Sequence, residues 1–198
     1  MLRESGFSWK PDGALVDGQG AVVEFTILTS AANSERTQMA TIIQDDLKQL
    51  GMNVHVVTLE LGAMLNRLLM THDYDASVLG LGGGDADPNG EINVWLSTGG
   101  MHLWNPEQSR PATAWEAEID TLMRRQVSTL DATERKRLYD RVQELVVQNL
   151  PVVPLVSPNV LVGAHKALGN FRPAVLDHQT LWNVEELFWR QQRSSGTP

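Results

Sequence analysis

At 198 residues and 21.9 kDa the chain is long enough for one well-buried domain or two small ones. Its 42% hydrophobic and 20% charged residues exclude disorder, collagen-like repeats and coiled coil. A formal charge of −8 opposes a nucleic-acid partner, the lack of cysteine excludes disulfides, thiolate zinc sites and a cysteine nucleophile, and no apolar run reaches the about 18 residues of a membrane span. The opening MLRESGFSWKPDG has neither the basic start nor the apolar core of about 7–15 residues that a secretory signal needs. An exported parent is therefore expected to be longer than this chain.

Residues 2–6 read as the last turn of a helix closed by Gly6, and residues 11–20 as a turn rich in Gly, Asp and Pro. Residues 21–29 are branched and aromatic and predict a strand. Asn33 or Ser34 caps the next helix, with Met39, Ile42, Ile43, Leu47 and Leu50 on its apolar positions and Gly51 at its end. A strand over 53–59, a helix over 61–70 carrying Met64, Leu65, Leu68 and Leu69, and a strand over 74–80 follow. That alternation predicts an α/β fold with a mixed sheet flanked by helices. Trp115, Ile119, Leu122, Met123 and Val127 describe one further helix. Leu138, Val142, Leu145 and Val146 describe a second, opened by Asp131 with Glu134 in the pattern of a capping box and ended by Pro151. VVPLV and NVLVG then read as two short strands, residues 164–180 as irregular, and 181–189 (LWNVEELFW) as apolar enough to be buried against a partner.

Residues 80–100 break this rhythm with seven glycines and an acidic patch at the end of a strand, where α/β proteins carry function. Gly80, Gly82, Gly83 and Gly84 invite a phosphate loop, but Asp85 stands where a dinucleotide fingerprint needs a small residue and no Gly-Lys-Ser/Thr follows. Asp85, Asp87, Asn89 and Gly90 match the first half of a calcium loop, whose closing Glu is here Leu96. Asp85, Asp87 and Glu91 offer the paired carboxylates of a hydrolase. His55, His72, His102, His165 and His178 show no metal-binding spacing and read as ordinary surface or core, and no GxSxG elbow exists. A further reading is capture of a cation. A carboxylate on a glycine-rich loop holds an ammonium group, open backbone pairs with an extended ligand, and Trp95 and Trp104 wall the pocket or pack in the core.

Several ordered segments resemble one family, the peptide- and nickel-type (family five) solute-binding proteins of bacterial ABC importers. LRESGF resembles that family's "LL-x-EAGF" helix end. FTILTSAANSERTQMATIIQDDLKQLGMNVHV resembles its strand, helix and "L-x-x-IGI-x-V" strand. YDASVLGLGGGDADP resembles its "YD-x-x-x-x-GW-x-x-D-x-x-DP" segment, with Gly80-Leu81 in place of "GW". IDTLMRRQVSTLDATERKRLYDRVQELVVQNLPVVPL is similar to "D-x-L-x-x-A … D-x-x-x-R-x-x-x-Y-x-x-x-Q-x-x-x-x-x-x-x-P-x-x-P-L".

The resemblance implies one lobe of a two-lobed periplasmic-binding-protein fold (type II, peptide-binding class). Residues 1–180 would form the C-terminal ligand-binding lobe, and 181–198 a tail returning toward an N-terminal lobe outside this chain. It implies an extracytoplasmic, non-enzymatic receptor, without cofactor or bound metal, that captures a peptide or similar solute in the cleft between lobes and delivers it to an ABC permease. By position Asp85 matches the aspartate that holds a peptide's amino terminus, and Asp87 that of the family's "DP". The expected ligand-binding set is Asp85, Asp87, Gly82, Gly83, Gly84, Trp95 and Trp104. A stand-alone interaction domain, or a hydrolase using Asp85, Asp87 and Glu91, are the alternatives.

Overall fold

The computed structural model describes residues 1–82, 87–174 and 179–190. The chain divides into two units, Met1–Leu81 with Asn105–Glu107, and Gly82–Trp104 with Gln108–Pro198.

In the first unit the opening turn closes on Gly6, which takes a positive φ of 88°. Phe7 N–H donates to Leu2 O at 3.0 Å and Gly6 N–H to Arg3 O at 3.2 Å, the paired bonds that finish a helix. Residues 11–20, expected as one turn, instead contribute to a small antiparallel ribbon, β1 (Ser8–Trp9) with β2 (Leu15–Val16). The central sheet is built from β3 (Glu24–Ser30), β4 (Asn53–Leu59) and β5 (Ala76–Ser77) in the order β4-β3-β5, with both pairings parallel. Parallel neighbours need a crossover. α1 (Ser34–Gln49) supplies the first, and α2 (Leu61–Asn66), continued by a wide π turn Arg67–Thr71, lies on the second.

Asn33 is the residue that caps α1, its side chain accepting from Arg36 N at 2.9 Å. Ile27, Ala40, Val54 and Val78 are buried at the centre, with Met39, Ile43 and Leu47 of α1 packed on them. Ile42 and Leu50, expected on the same stripe, are exposed. Gly51 ends α1 at φ 87° and joins it to the ribbon, since Leu15 N–H donates to Gly51 O at 2.7 Å. A Cβ at Gly51 would lie 2.3 Å from Gly13 O, so both the positive φ and the close approach demand glycine there.

The second unit is organised by two helices, α4 (Ala114–Ser128) and α5 (Ala132–Asn149), preceded by a 3-10 turn at Pro88–Glu91 and the short α3 (Ile92–Trp95). Ile119, Met123, Val142 and Leu145 are the buried seam between α4 and α5, as their spacing predicts. Thr113 opens α4 with a complete capping box, reciprocated by Glu116. At α5 only half of the expected box forms. Asp131 accepts from Glu134 N at 2.7 Å, but the Glu134 side chain is taken by Arg125 and Arg137.

The two strands expected between 152 and 163 are absent. Among the described residues this stretch finds no backbone partner, and Val153, Val156, Val160 and Leu161 are exposed. The apolar stretch 181–189, expected to be buried, instead leaves Leu181, Trp182, Val184, Phe188 and Trp189 exposed, although it pairs and is anchored within this unit. β7 (Phe188–Trp189) pairs antiparallel with β6 (Leu168–Gly169), and Asn183, 1% exposed, donates through Nδ2 to Asn170 O at 3.0 Å. The α/β class thus carries both parallel and antiparallel pairing, in separate sheets, the central one wholly parallel among the described strands.

Candidate functional site

The acidic, glycine-rich loop follows β5 in the chain; Gly80 and Leu81 belong to the first unit and its described part from Gly82 onward to the second. Gly83, Gly84 and Asp85 lie outside the described residues. Gly82 is exposed, and a Cβ built on it would meet nothing within 4 Å, so its backbone borders open space.

Asp87 sits where the loop turns into the 3-10 segment. Its Oδ1 accepts from Asn89 N at 2.9 Å, a cap completed by Pro88 in the first position of the turn. Both of its oxygens also face Arg135 of α5. Nη1 donates to Oδ2 at 2.9 Å and Nη2 to Oδ1 at 2.7 Å, a two-pronged pair. The guanidinium and the Asn89 N–H hold the Asp87 carboxyl below the usual carboxylate range. An ionised, doubly engaged carboxylate is unsuited to act as a hydrolase's general acid, which needs a raised pKa. Arg135 Nη2 also donates to Gln126 Oε1 at 2.9 Å, and Gln126 is wholly buried.

Trp95 and Trp104 come together, their ring centroids 6.2 Å apart and tilted by 42°. Both are half-buried. Trp95 packs on the seam of Ile119, Met123, Val142 and Leu145. Trp104 stacks at 6.3 Å on Trp115 and lies 3.8 Å from the ring of His102. The pair is therefore braced from the core side, which fixes the remaining exposed ring surface as a rigid apolar wall.

Beneath the tryptophans lies a polar centre that sequence reasoning did not single out. Glu116 is 2% exposed and His102 1% exposed. Glu116 Oε1 accepts from Trp104 Nε1 at 3.2 Å and Gln108 Nε2 at 3.1 Å, and lies 3.2 Å from His102 Nε2. Its Oε2 accepts from the backbone N and the Oγ1 of Thr113, each at 2.8 Å. Burial alone would push this carboxyl up. The hydrogen bonds from Gln108, Thr113, His102 and Trp104 outweigh it and hold the pKa down to about 2. A second buried carboxylate, Asp120, receives Ser97 N and Ser97 Oγ, both at 2.8 Å. These groups are satisfied from within and hold the aromatic wall in place; neither is open to a ligand. Among the described residues no cluster of three or more metal-ligating side chains occurs, and no helix is long and apolar enough to cross a membrane.

The chain is similar to known proteins along most of its length. Residues 1–102 match the sequence pattern of the bacterial extracellular solute-binding proteins, family 5 (middle region). A probable ABC transporter-binding protein of Deinococcus radiodurans is 30% identical over 172 residues, 81% of this chain and 29% of that protein. The oligopeptide-binding protein AppA of Bacillus subtilis is 24% identical over 189 residues, 94% of this chain and 33% of that protein. Among solved structures, NikA from Brucella suis in complex with Fe(III)-EDTA superposes with a TM-score of 0.70 at 17% identity, covering 96% of this chain and 36% of that one. AppA from Bacillus subtilis in complex with a nonapeptide gives 0.67 at 18% identity, with the same coverage. The chain spans about a third of the length of these relatives, and the structural likeness establishes the fold, that of the type II periplasmic binding proteins. With more than half of its residues under the family's pattern, the chain belongs to the bacterial extracellular solute-binding proteins of family 5.

Proposed function

We propose that this chain forms one side of the ligand cleft of an extracytoplasmic receptor that hands a peptide or similar small solute to an ABC permease. The observation that carries the reading is the family match over residues 1–102. Residues 1–180 act as the ligand-binding lobe and 181–198 as a tail reaching toward the remainder of the receptor. The chain catalyses nothing and needs neither cofactor nor metal. In this reading the loop of Gly82, Gly83, Gly84, Asp85 and Asp87 faces the ligand. Asp85 receives its ammonium group, the glycines let its main chain approach the backbone, and Trp95 and Trp104 wall the apolar side. Two features support it: the open space beside Gly82 and the braced tryptophan pair.

The test uses the longer receptor that contains this segment, titrated calorimetrically with a panel of peptides from two to nine residues. Asp85→Ala is expected to weaken binding by about 1.5–3 kcal/mol, the range of a hydrogen bond to a charged group. Unchanged affinity would remove Asp85 from the site. Turnover of any panel peptide by the unaltered chain would favour the hydrolase reading instead.

A further inference from the structure

We propose that Arg36 is the receiving group for a carboxylate at the carboxyl edge of the central sheet. This deepens the reading above, from which it takes only the peptide nature of the ligand, and it lies wholly within the first unit. Four arginines among the described residues are half-buried. Arg67 is paired with Asp73, Arg135 with Asp87 and Arg141 with Glu118. The Arg36 guanidinium alone has no hydrogen bond, ion pair or ring contact with any described residue. Acidic partners are not scarce in a chain with 24 Asp and Glu against 16 Lys and Arg. The neighbouring Glu35 is exposed, stands about 100° round the helix and forms no pair with it. Partly desolvating a cation without an anion costs free energy. So does its place in the first turn of the 16-residue α1, the end of a helix that favours negative charge. Both costs turn to gains once an anion binds there.

The sheet explains the placement. β3 is the central strand, and the chain leaves it through α1 toward β4 while β5 stands on its other side. In open α/β sheets the crevice beyond the strand ends, where the order turns in this way, is where ligands are received. The ends of β3 and β5 stay side by side past their paired residues, since Val78 N–H donates to Leu28 O at 2.8 Å and Thr29 Oγ1 to Val78 O at 3.3 Å. Arg36 reaches over this edge to Gly80. A Cβ at Gly80 would lie 3.2 Å from Arg36 Cζ and closer still to Nη2. Gly80 is exposed and its φ is not left-handed, so neither burial nor conformation asks for glycine there. The guanidinium lying against its backbone does. A planar fork held in that position matches both oxygens of a carboxylate, which a lysine would meet as a point charge.

The experiment compares two ligands in the longer receptor, trialanine and trialaninamide, which differ only in the terminal carboxylate. The unaltered receptor is expected to bind trialanine about 10- to 100-fold more tightly, as for a hydrogen bond to a charged group. Arg36→Gln should weaken trialanine by that factor and leave trialaninamide unchanged, and Arg36→Lys should recover part of the loss. Gly80→Ala, which keeps the guanidinium but displaces it, should weaken trialanine alone. No preference in the unaltered receptor, or a preference that survives Arg36→Gln, overturns the assignment. An equal loss for both peptides marks a folding role and overturns it too. The site is also read without any peptide. In the 198-residue chain, phenylglyoxal condenses with accessible guanidinium groups, and replacing about 0.2 M chloride by acetate is expected to slow its reaction at Arg36 roughly threefold, as for a weak single site. A rate that acetate does not change overturns the assignment. If the unaltered receptor binds no peptide, the proposed function fails, while acetate protection still decides whether Arg36 receives a carboxylate.

Discussion

Glu116 is a carboxylate with five donors around it and almost no solvent, so its charge is part of the fold. Its folded pKa, about 2, lies below its ordinary 4.5. The stability it contributes is therefore fully present above pH 4.5 and is lost as pH falls toward 2, on the order of 3 kcal/mol in all. Glu116→Gln removes that pH dependence and sets an amide N–H against donors from Thr113 or from Trp104 and Gln108, at about 1–3 kcal/mol. Thermal unfolding of the two chains is expected to differ most near pH 7 and to converge as the pH approaches 2. A constant gap across that range would mean the charge is immaterial.

This residue was within reach of the sequence, because Thr113 and Glu116 have the spacing of a capping box. That Glu116 also gathers His102, Gln108 and Trp104 was not, since contacts across a loop leave no periodic trace. Arg135 was legible only as one letter of a resembling motif. Its partner Asp87 was singled out for its charge, and the pairing that occupies that charge lies 48 positions away.

At the level of elements, the two caps make a controlled comparison. Thr113 and Glu116 exchange bonds in both directions, whereas Asp131 receives one bond and gets none back. Thr113→Ala is expected to cost about 1–2 kcal/mol, and Asp131→Ala nearer 1. Urea unfolding followed by circular dichroism ranks them, and a larger loss at Asp131 would show that the reciprocal bond adds nothing.

Helices and strands with a clear period were legible. β4 and α1 lie where the pattern puts them, as do the helices of the second unit. The departures have local causes. Ile42 is one residue, about 100° of helix rotation, away from the Met39, Ile43 and Leu47 stripe and so faces water. The strand expected over 74–80 shrinks to Ala76–Ser77; at its start the Asp75 side chain accepts the Thr26 N–H at 2.8 Å in place of a backbone carbonyl. The strands expected over 152–163 had the right residues and three nearby prolines, but a strand needs a neighbour. None stands beside it among the described residues.

For the molecule as a whole, that last stretch bears on behaviour in solution. Val156 is 72% exposed and Leu161 92%, on a backbone whose hydrogen-bonding groups lack protein partners among the described residues. Apolar side chains on an unpaired extended segment are a template for association. The 198-residue chain is expected to self-associate with rising concentration in sedimentation velocity, and Val156→Glu with Leu161→Glu to return it toward monomer. Undiminished association in that variant would place the contact elsewhere. The family was legible because its motifs recur in order along the chain. The ligand was not, since one fold holds a nonapeptide in one relative and Fe(III)-EDTA in another.

The joint at Gly51 bears on which changes of length the first unit can absorb. The Gly13 carbonyl and the Leu15 N–H both press on Gly51, so the ribbon and the end of α1 are seated as one piece. An insertion or deletion between Trp9 and Leu15 would move that carbonyl away from its seat, whereas the turn from Asp17 to Gly20 is closed by its own Gly20 N–H to Asp17 O bond and, among the described residues, makes no backbone hydrogen bond to Gly51. Insertions are therefore expected to be tolerated in the second turn and to destabilise the first.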